Sequence, residues 1–363
     1  MNHIEDTLRD AVRELADDAP RTYGLADVAR QRGRRLRRRR RVALVTGAAA
    51  LVAATITPYA VVHRAAPPAP VAPSPPVPTV SAIPGQWWTS PYRLPGGAVV
   101  TALSKVDVGL VDAPVRKTVQ DGNVLLDPAT GHYVVLPSAY YTVYGSPRGG
   151  HALALNGEGG SGVVDAVGGR GIWMDLSPMG PQWSSDGTKI LLTGLTGFSI
   201  MDAATGKITD HPIGDFACPD ECFFTWLPGE REVAIARRDP GVAHDEAKRD
   251  PVKDIAVFSV STGKPTRTVP VAGAPIGPDA WSADGRLVLT YDPAAHSKPI
   301  RIADVGTGRI LGQIPGTPHF LPDGRILSLS EGKATLYDRN GKALEAQTLP
   351  ADFKNREISL GTS

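Results

Sequence analysis

The chain has 363 residues, and its composition changes sharply along its length. An aromatic content of 6% with 39 Gly and 33 Pro suits many short strands joined by turns and argues against a helical bundle. The formal charge of +2 misleads, because residues 1–41 hold 12 Arg and no Lys against seven Asp and Glu. What remains is mildly acidic, without the concentrated basic face that phosphate recognition needs, so nucleic acid is excluded from the expected partners.

In chain order, Ile4, Leu8, Val12 and Leu15 recur at helical spacing and predict one short amphipathic helix ended by Pro20. Such a helix is marginal alone in water and needs a partner or a membrane surface, so a weakly ordered cytoplasmic tail is the favoured expectation. Nine Arg follow between Arg30 and Arg41, directly before Val42 to Val62, a run of 21 residues without a charge. At about 1.5 Å per residue that run covers the roughly 30 Å hydrocarbon core. Pro58 is expected to kink or end its last turn. The Arg cluster is explained by the positive-inside rule: the N-terminus stays in the cytoplasm and the rest is sent out. A cleaved signal peptide is the closer competitor, yet the charged region is long for one, and His63 and Arg64 occupy positions where a cleavage site needs small residues. The twin-arginine flanking pattern is absent. Residues 63–82 then form a Pro- and Ala-rich stalk, an extended spacer of roughly 40 Å at about 3.1 Å per residue. The expected organisation is a cytoplasmic tail over 1–41, a signal anchor over 42–62, the stalk, and an extracytoplasmic domain over 83–363 at the plasma membrane.

Internal repeats dominate that domain. One signature is a turn, Asp-x-x-Thr-Gly-basic, at Asp127–His132, Asp202–Lys207 and Asp304–Arg309. Looser copies stand at Ser259–Lys264, Asp165–Arg170 and, one residue shorter, Asp338–Lys342. Gly supplies positive φ in such turns, and Asp hydrogen-bonds the turn backbone. A second signature, aromatic-x-x-Asp-Gly, precedes these turns at Trp183–Gly187, Trp281–Gly285 and Phe320–Gly324, with worn copies at Trp226–Glu230 and Tyr144–Gly150. Apolar strands follow each signature, so every unit reads strand, Asp-Gly turn, strand, strand, Thr-Gly turn, strand. Repeated units of four antiparallel strands predict an all-β propeller.

Over about residues 110–350 these units resemble the TolB-like subgroup of WD-repeat-like propellers, whose repeats read Pro-x-Trp-Ser-x-Asp-Gly, two strands, Asp-x-x-Thr-Gly-Lys. The chain departs from that pattern in lacking Trp-Asp dipeptides and in a first unit without the Trp-Ser signature. The resemblance implies a fold and is nearly silent about activity. Six Thr-Gly-type turns predict six blades, with seven open if residues 84–104 add one. Ring closure is expected either to pair Ala98–Leu103 with the last blade or Glu357–Leu360 with the first.

The search for chemistry nominates no catalytic, metal-ligating or cofactor-binding residue, and no cofactor is expected. A phosphate loop needs Gly where Met201 and Phe258 stand. The sialidase Asp-box spacing and the Gly-x-Ser-x-Gly elbow are both missing. The eight His are scattered, and His211 and His319 read as surface or turn residues. Outside the cell, Cys218 and Cys222 read most naturally as a local disulfide; two buried thiols, or a metal or redox pair, are the alternatives. Arg237–Asp254 is an insertion with five basic and five acidic residues, read as a solvated excursion. The Trp87-Trp88 pair is expected to pack where the chain enters the propeller. Three functions follow: a tethered propeller that binds a protein, peptide or glycan; a propeller enzyme of lyase, lactonase or glycosidase type with its site at the central channel; or a signalling protein acting through its tail on a cytoplasmic regulator such as a sigma factor. The tail superficially resembles those of single-pass anti-sigma regulators but lacks their zinc-binding His-Cys motif.

Overall fold

A computed structural model describes residues 79–80, 86–105, 122–137, 139–156, 160–167, 171–174, 179–194, 196–214, 222–242, 250–293, 299–330 and 332–362. The chain divides into two units, Met1–Ala72 and Pro73–Ser363, and every described residue belongs to the second. The amphipathic helix, the apolar run at 42–62 and Cys218 lie outside the described residues. Within them, no helix is long and apolar enough to cross a membrane.

Six antiparallel sheets follow one another along the chain. Blade 1 holds Ala98–Lys105, Val124–Leu126 and Tyr133–Val135, and blade 2 holds Tyr140–Gly145, His151–Asn156, Ser161–Asp165 and Gly171–Met174. Blade 3 is Met179–Trp183, Lys189–Thr193, Gly197–Asp202 and Ile208–Pro212; blade 4 is Thr225–Trp226, Glu232–Arg238, Val252–Ser259 and Pro265–Val269. Blade 5 is Ala274–Pro275, Leu287–Tyr291, Ile300–Asp304 and Ile310–Ile314; blade 6 is Thr317–Phe320, Ile326–Ser330, Lys333–Tyr337 and Ala343–Thr348. This is the six-bladed propeller that the repeats predict, and the seventh blade left open does not form among the described residues.

The ring is closed by the chain's end. Arg356–Thr362 pairs antiparallel with Ala98–Lys105, from Ala98 opposite Thr362 to Lys105 opposite Arg356, and becomes the innermost strand of blade 1. Of the two closures expected, the tail-to-first-blade one is realised, and the two segments named for it pair with each other. Blade 6 departs from four strands. Thr79–Val80, just past the Pro-rich stretch, adds a fifth strand parallel to Ala343–Thr348.

Hydrophobic packing explains why the sheets stand as blades. Middle strands are buried on both faces, as in Val124–Leu126 and the centre of Val252–Ser259, because each sheet is sandwiched between two others. Outer strands such as Ile208–Pro212 are half exposed. Six apolar clusters form, one for each interface between neighbouring sheets. The last of these joins Leu327 and Leu336 of blade 6 to Val100, Leu103 and Val124 of blade 1, and completes the ring. Trp87 enters that cluster buried, with its ring 4.9 Å from Phe353 and 5.1 Å from Tyr133, and its Nε1 donates to Asp352 Oδ2 at 3.0 Å. The tryptophan at the chain's entry is thus a packing residue, as its position suggests.

Candidate functional site

In an antiparallel meander, the turn after the first strand and the turn after the third emerge at the same end. Both repeat signatures occupy those turns, so one face of the ring carries them all. In the outer turns, Asp127 accepts from Ala129 N–H at 3.0 Å and from Thr130 Oγ1 at 2.8 Å. Asp202 accepts from Thr205 N–H and Oγ1 at 2.8 and 2.7 Å, and Asp304 from Thr307 N–H and Oγ1 at 2.7 and 2.6 Å. Asp338 takes the N–H groups of Asn340 and Lys342, and Asp165 that of Val167. The Thr-Gly glycines close a five-residue turn with φ near +70°, for example Gly206 N–H to Asp202 C=O at 2.8 Å. These aspartates are spent on their own backbone, which leaves the channel as the place to look for chemistry.

The signature aromatics form an inter-blade ladder. Trp183 Nε1 donates to Tyr144 C=O at 2.8 Å, Trp226 Nε1 to Gln182 C=O at 3.1 Å, and Trp281 Nε1 to Thr225 Oγ1 at 2.9 Å. Each indole therefore reaches the innermost strand of the preceding blade. Phe320 has no N–H on its ring, and its backbone N–H donates instead to Asp279 C=O at 2.9 Å. The inner turns are locked locally. Ser184 Oγ and the Thr188 N–H bond Asp186, whose carboxyl is held down to about 2, first by the serine and then by the Thr188 backbone.

Inside the ring, the innermost strands and their turns enclose a channel of about 1250 Å³ lined by residues from all six blades. Three carboxylates line it, from Glu230, Asp279 and Glu357, with His319, Lys354 and Arg356. Glu357 lies on the closing strand near Tyr144. Burial raises its carboxyl above the usual range, and burial followed by the charge of Glu357 raises the Tyr144 hydroxyl. His319 Nδ1 faces Asp279 Oδ2 at 3.7 Å, too far for a hydrogen bond, and is buried with no hydrogen-bond partner among the described residues. Gln182 is 2% exposed, and its Oε1 likewise meets no donor. Glu230, Asp279 and Asn355, the described non-glycine residues with left-handed backbone (φ 54°, 55° and 58°), all line this channel. Such strain costs on the order of 1–3 kcal/mol each and gathers at functional sites.

His319 is therefore an inner-strand residue and not the surface histidine the sequence suggests. His211 does sit on an outer strand, stacked at 4.7 Å on Phe198. Gln182, Asp279 and Glu357 escape motif reading altogether. One signal was available: Gln182, Thr225 and His319 each stand immediately before a signature aromatic, on the strand that faces the channel. The mixed-charge insertion is clasped at its base by a bidentate pair, Arg237 Nε and Nη2 to Asp254 at 2.6 and 2.8 Å, while residues 243–249 lie outside the described residues. Cys222 is buried in the apolar cluster of blades 3 and 4. Its expected bridge runs to a residue outside the described ones.

No protein-family model matches the chain, and no curated protein does. Among solved structures it is similar to TolB from Acinetobacter baumannii, at 16% identity over 69% of this chain and 66% of that one, with a TM-score of 0.42. A likeness that distant carries no argument about family, site or ligand, so the propeller stands on its own strand pairing.

Proposed function

We propose that this chain is a non-enzymatic binding module, a propeller held outside the cytoplasm by a single membrane segment, which takes a protein, peptide or glycan at its central channel. The observation that carries the reading is the channel itself. It is lined by residues of all six blades, and its walls include two buried polar atoms, Gln182 Oε1 and His319 Nδ1, with no hydrogen-bond partner among the described residues. Buried polar groups are rarely left unpaired without a reason, and a ligand is a physical one. The tether is supported by the 21-residue uncharged run with its Arg cluster on one side. We also propose the Cys218–Cys222 bridge, which suits an oxidising compartment.

The reading is tested with the full-length chain in detergent against peptide and glycan arrays, beside a variant whose channel mouth is filled by Ser185→Trp and Ala283→Trp. Both positions are exposed and line the channel. Hits lost in the filled variant support the channel as the site. Hits that survive it, or that are chemically converted by the protein, sink the proposal, the second outcome in favour of the enzyme reading. Orientation is read separately, by protease treatment of cells stripped of their outer layers. A protected propeller overturns the tether.

A further inference from the structure

The junction of blades 6 and 1 is made differently from the others. In blades 3, 4 and 5 the signature indole bonds the blade before it, but blade 1 has no signature tryptophan to reach back to blade 6. The entry segment supplies one. Trp87 Nε1 donates at 3.0 Å to Asp352, on the short helical turn Ala351–Phe353 between blade 6 and the closing strand, and its ring packs on Tyr133 of blade 1. Further on, the Tyr92 N–H donates to Tyr133 Oη at 3.0 Å, while Gln347 Nε2 of blade 6 donates to Tyr92 Oη at 3.2 Å. Gly96, left-handed at φ 79°, sits against Leu321 and Leu336 of blade 6, where a Cβ has no room. Thr79–Val80 lies on the outer edge of the same blade, opposite Ala346 and Gln347. The entry segment is thus a strap over the outer strands of the seam, and Arg356–Thr362 is the lock on its inner side.

Resting on the tether proposed above, we propose that this strap is a tension-released clasp, which opens under load and leaves the ring shut. A pull between membrane and propeller enters the domain at its first paired residues, Thr79 and Val80, and so meets the strap before any blade. The strap's holds are loaded one after another: two residues of edge pairing, one buried indole, then Tyr92 and Leu94, bonded back onto Val100 and Ala98. The closing strand is held along its length, from Ala98 opposite Thr362 to Lys105 opposite Arg356. Sparse, short pairing places the strap at the low-stability end of the domain, and it yields first. Freed from Thr79 to Gly97, it adds up to about 65 Å to the stalk at about 3.3–3.6 Å per residue. The clasp lengthens the tether's reach while the inner lock keeps the ring and its channel folded.

The test is a single-molecule pull on the full-length chain in detergent, with one handle at the N-terminus and the other in place of Lys207, an exposed residue of blade 3. The expected record is a reversible early extension of up to about 65 Å, followed at higher load by unfolding of the ring. At fixed load, Trp87→Ala raises the open population at least about a hundredfold. Trp87→Phe keeps an aromatic ring and loses the bond to Asp352, for a rise of about tenfold. Val80→Pro disturbs only the edge pairing, so it brings the early extension to lower load even where a tryptophan variant fails to fold. Hydrogen exchange without load gives a second readout: in Trp87→Phe the Tyr92 and Leu94 amides lose protection while Arg356–Thr362 keeps its own. All-or-none unfolding with no early extension overturns the proposal. So does an early extension that none of the three variants alters, or protection at Tyr92 and Leu94 that is lost only together with that of Arg356–Thr362. The pull uses no bilayer, so its failure is told apart from failure of the tether, which the protease assay reads.

Discussion

The inter-blade ladder makes a sharp prediction at Trp281. Its Nε1 donates at 2.9 Å to Thr225 Oγ1, and both residues are buried, Thr225 fully. Trp281→Phe removes the donor and strands the hydroxyl, at a cost of about 1–3 kcal/mol. The void left by the lost ring, roughly 40 Å³, adds ~1 kcal/mol at about 24 cal/mol per Å³. Thr225→Val alone strands the indole N–H, again about 1–3 kcal/mol. The double variant removes both partners, so only the void remains, ~1 kcal/mol. It is therefore expected to be less destabilised than the two single variants added together, by about 2–6 kcal/mol. The assay is urea unfolding of the full chain followed by far-UV circular dichroism, with an unchanged denaturant slope as the control. A double variant that costs the plain sum refutes the reasoning, because the bond then contributes nothing beyond the volume of its partners. Trp226→Phe loses a bond to a backbone carbonyl in a partly buried place and is expected to cost less.

Further expectations concern charge. Hydrogen bonds lower Asp186, Asp284 and Asp323 from the usual aspartate range, Asp186 to about 2. A depressed carboxyl stabilises the fold above its unfolded value and loses that contribution as pH falls through the folded one. Stability therefore drops between the ordinary aspartate range and pH about 2, and Asp186→Asn flattens part of the drop; an unchanged acid profile in that variant refutes the attribution. Glu357 has the opposite sign. With its folded value raised by burial, its ionised form weakens the fold at neutral pH, so Glu357→Gln raises the melting temperature there and does nothing below the ordinary glutamate range. A gain independent of pH counts against desolvation as the cause. For the Cys218–Cys222 bridge, alkylation of the denatured chain before reduction adds no mass, and alkylation after reduction labels both residues; two labels before reduction remove it.

The repeating part of the fold was legible because it is written in local chemistry. Asp and Gly at fixed offsets define turns whose hydrogen bonds need no distant partner, as Asp202 and Asp304 demonstrate. Blade number followed from counting those turns. The fifth strand of blade 6 was not legible, since Thr79–Val80 is two residues long and takes its place from the exposed edge beside it. The channel was the least legible feature. Gln182, Asp279, His319 and Glu357 lie far apart in sequence and share a cavity only because closing a ring brings innermost strands together. His319 shows how the error arises: a lone histidine before an aromatic reads as surface until the strand that bears it is known to face inward.

Closure also sets the order in which that cavity can exist. Trp87 and Asp352, 265 residues apart, are bonded across the seam, and Arg356–Thr362 supplies the innermost strand of the first blade. Joining ends so distant costs, by loop-closure entropy, only about 3 kcal/mol more than closing a ten-residue loop, so the seam is thermodynamically modest. Its kinetic weight is greater, because Ala98–Lys105 waits as an unpaired edge until the last residues arrive. Gly361 is where the seam is most exposed to perturbation. A Cβ there meets the Pro147 carbonyl oxygen and comes within 2.8 Å of Thr101 Cγ2. Gly361→Val must therefore displace either the closing strand or the first turn of blade 2, a clash beyond the ~1–3 kcal/mol of ordinary overpacking. Hydrogen exchange is expected to show protection lost over Ala98–Lys105 and Arg356–Thr362 while the interior strands of blades 3 to 5 keep theirs, with self-association visible on gel filtration. Even loss across all six blades would mean that the ring is one cooperative unit without a weak seam. Unchanged protection at the two paired segments would mean that the C-terminal strand does not hold the ring shut.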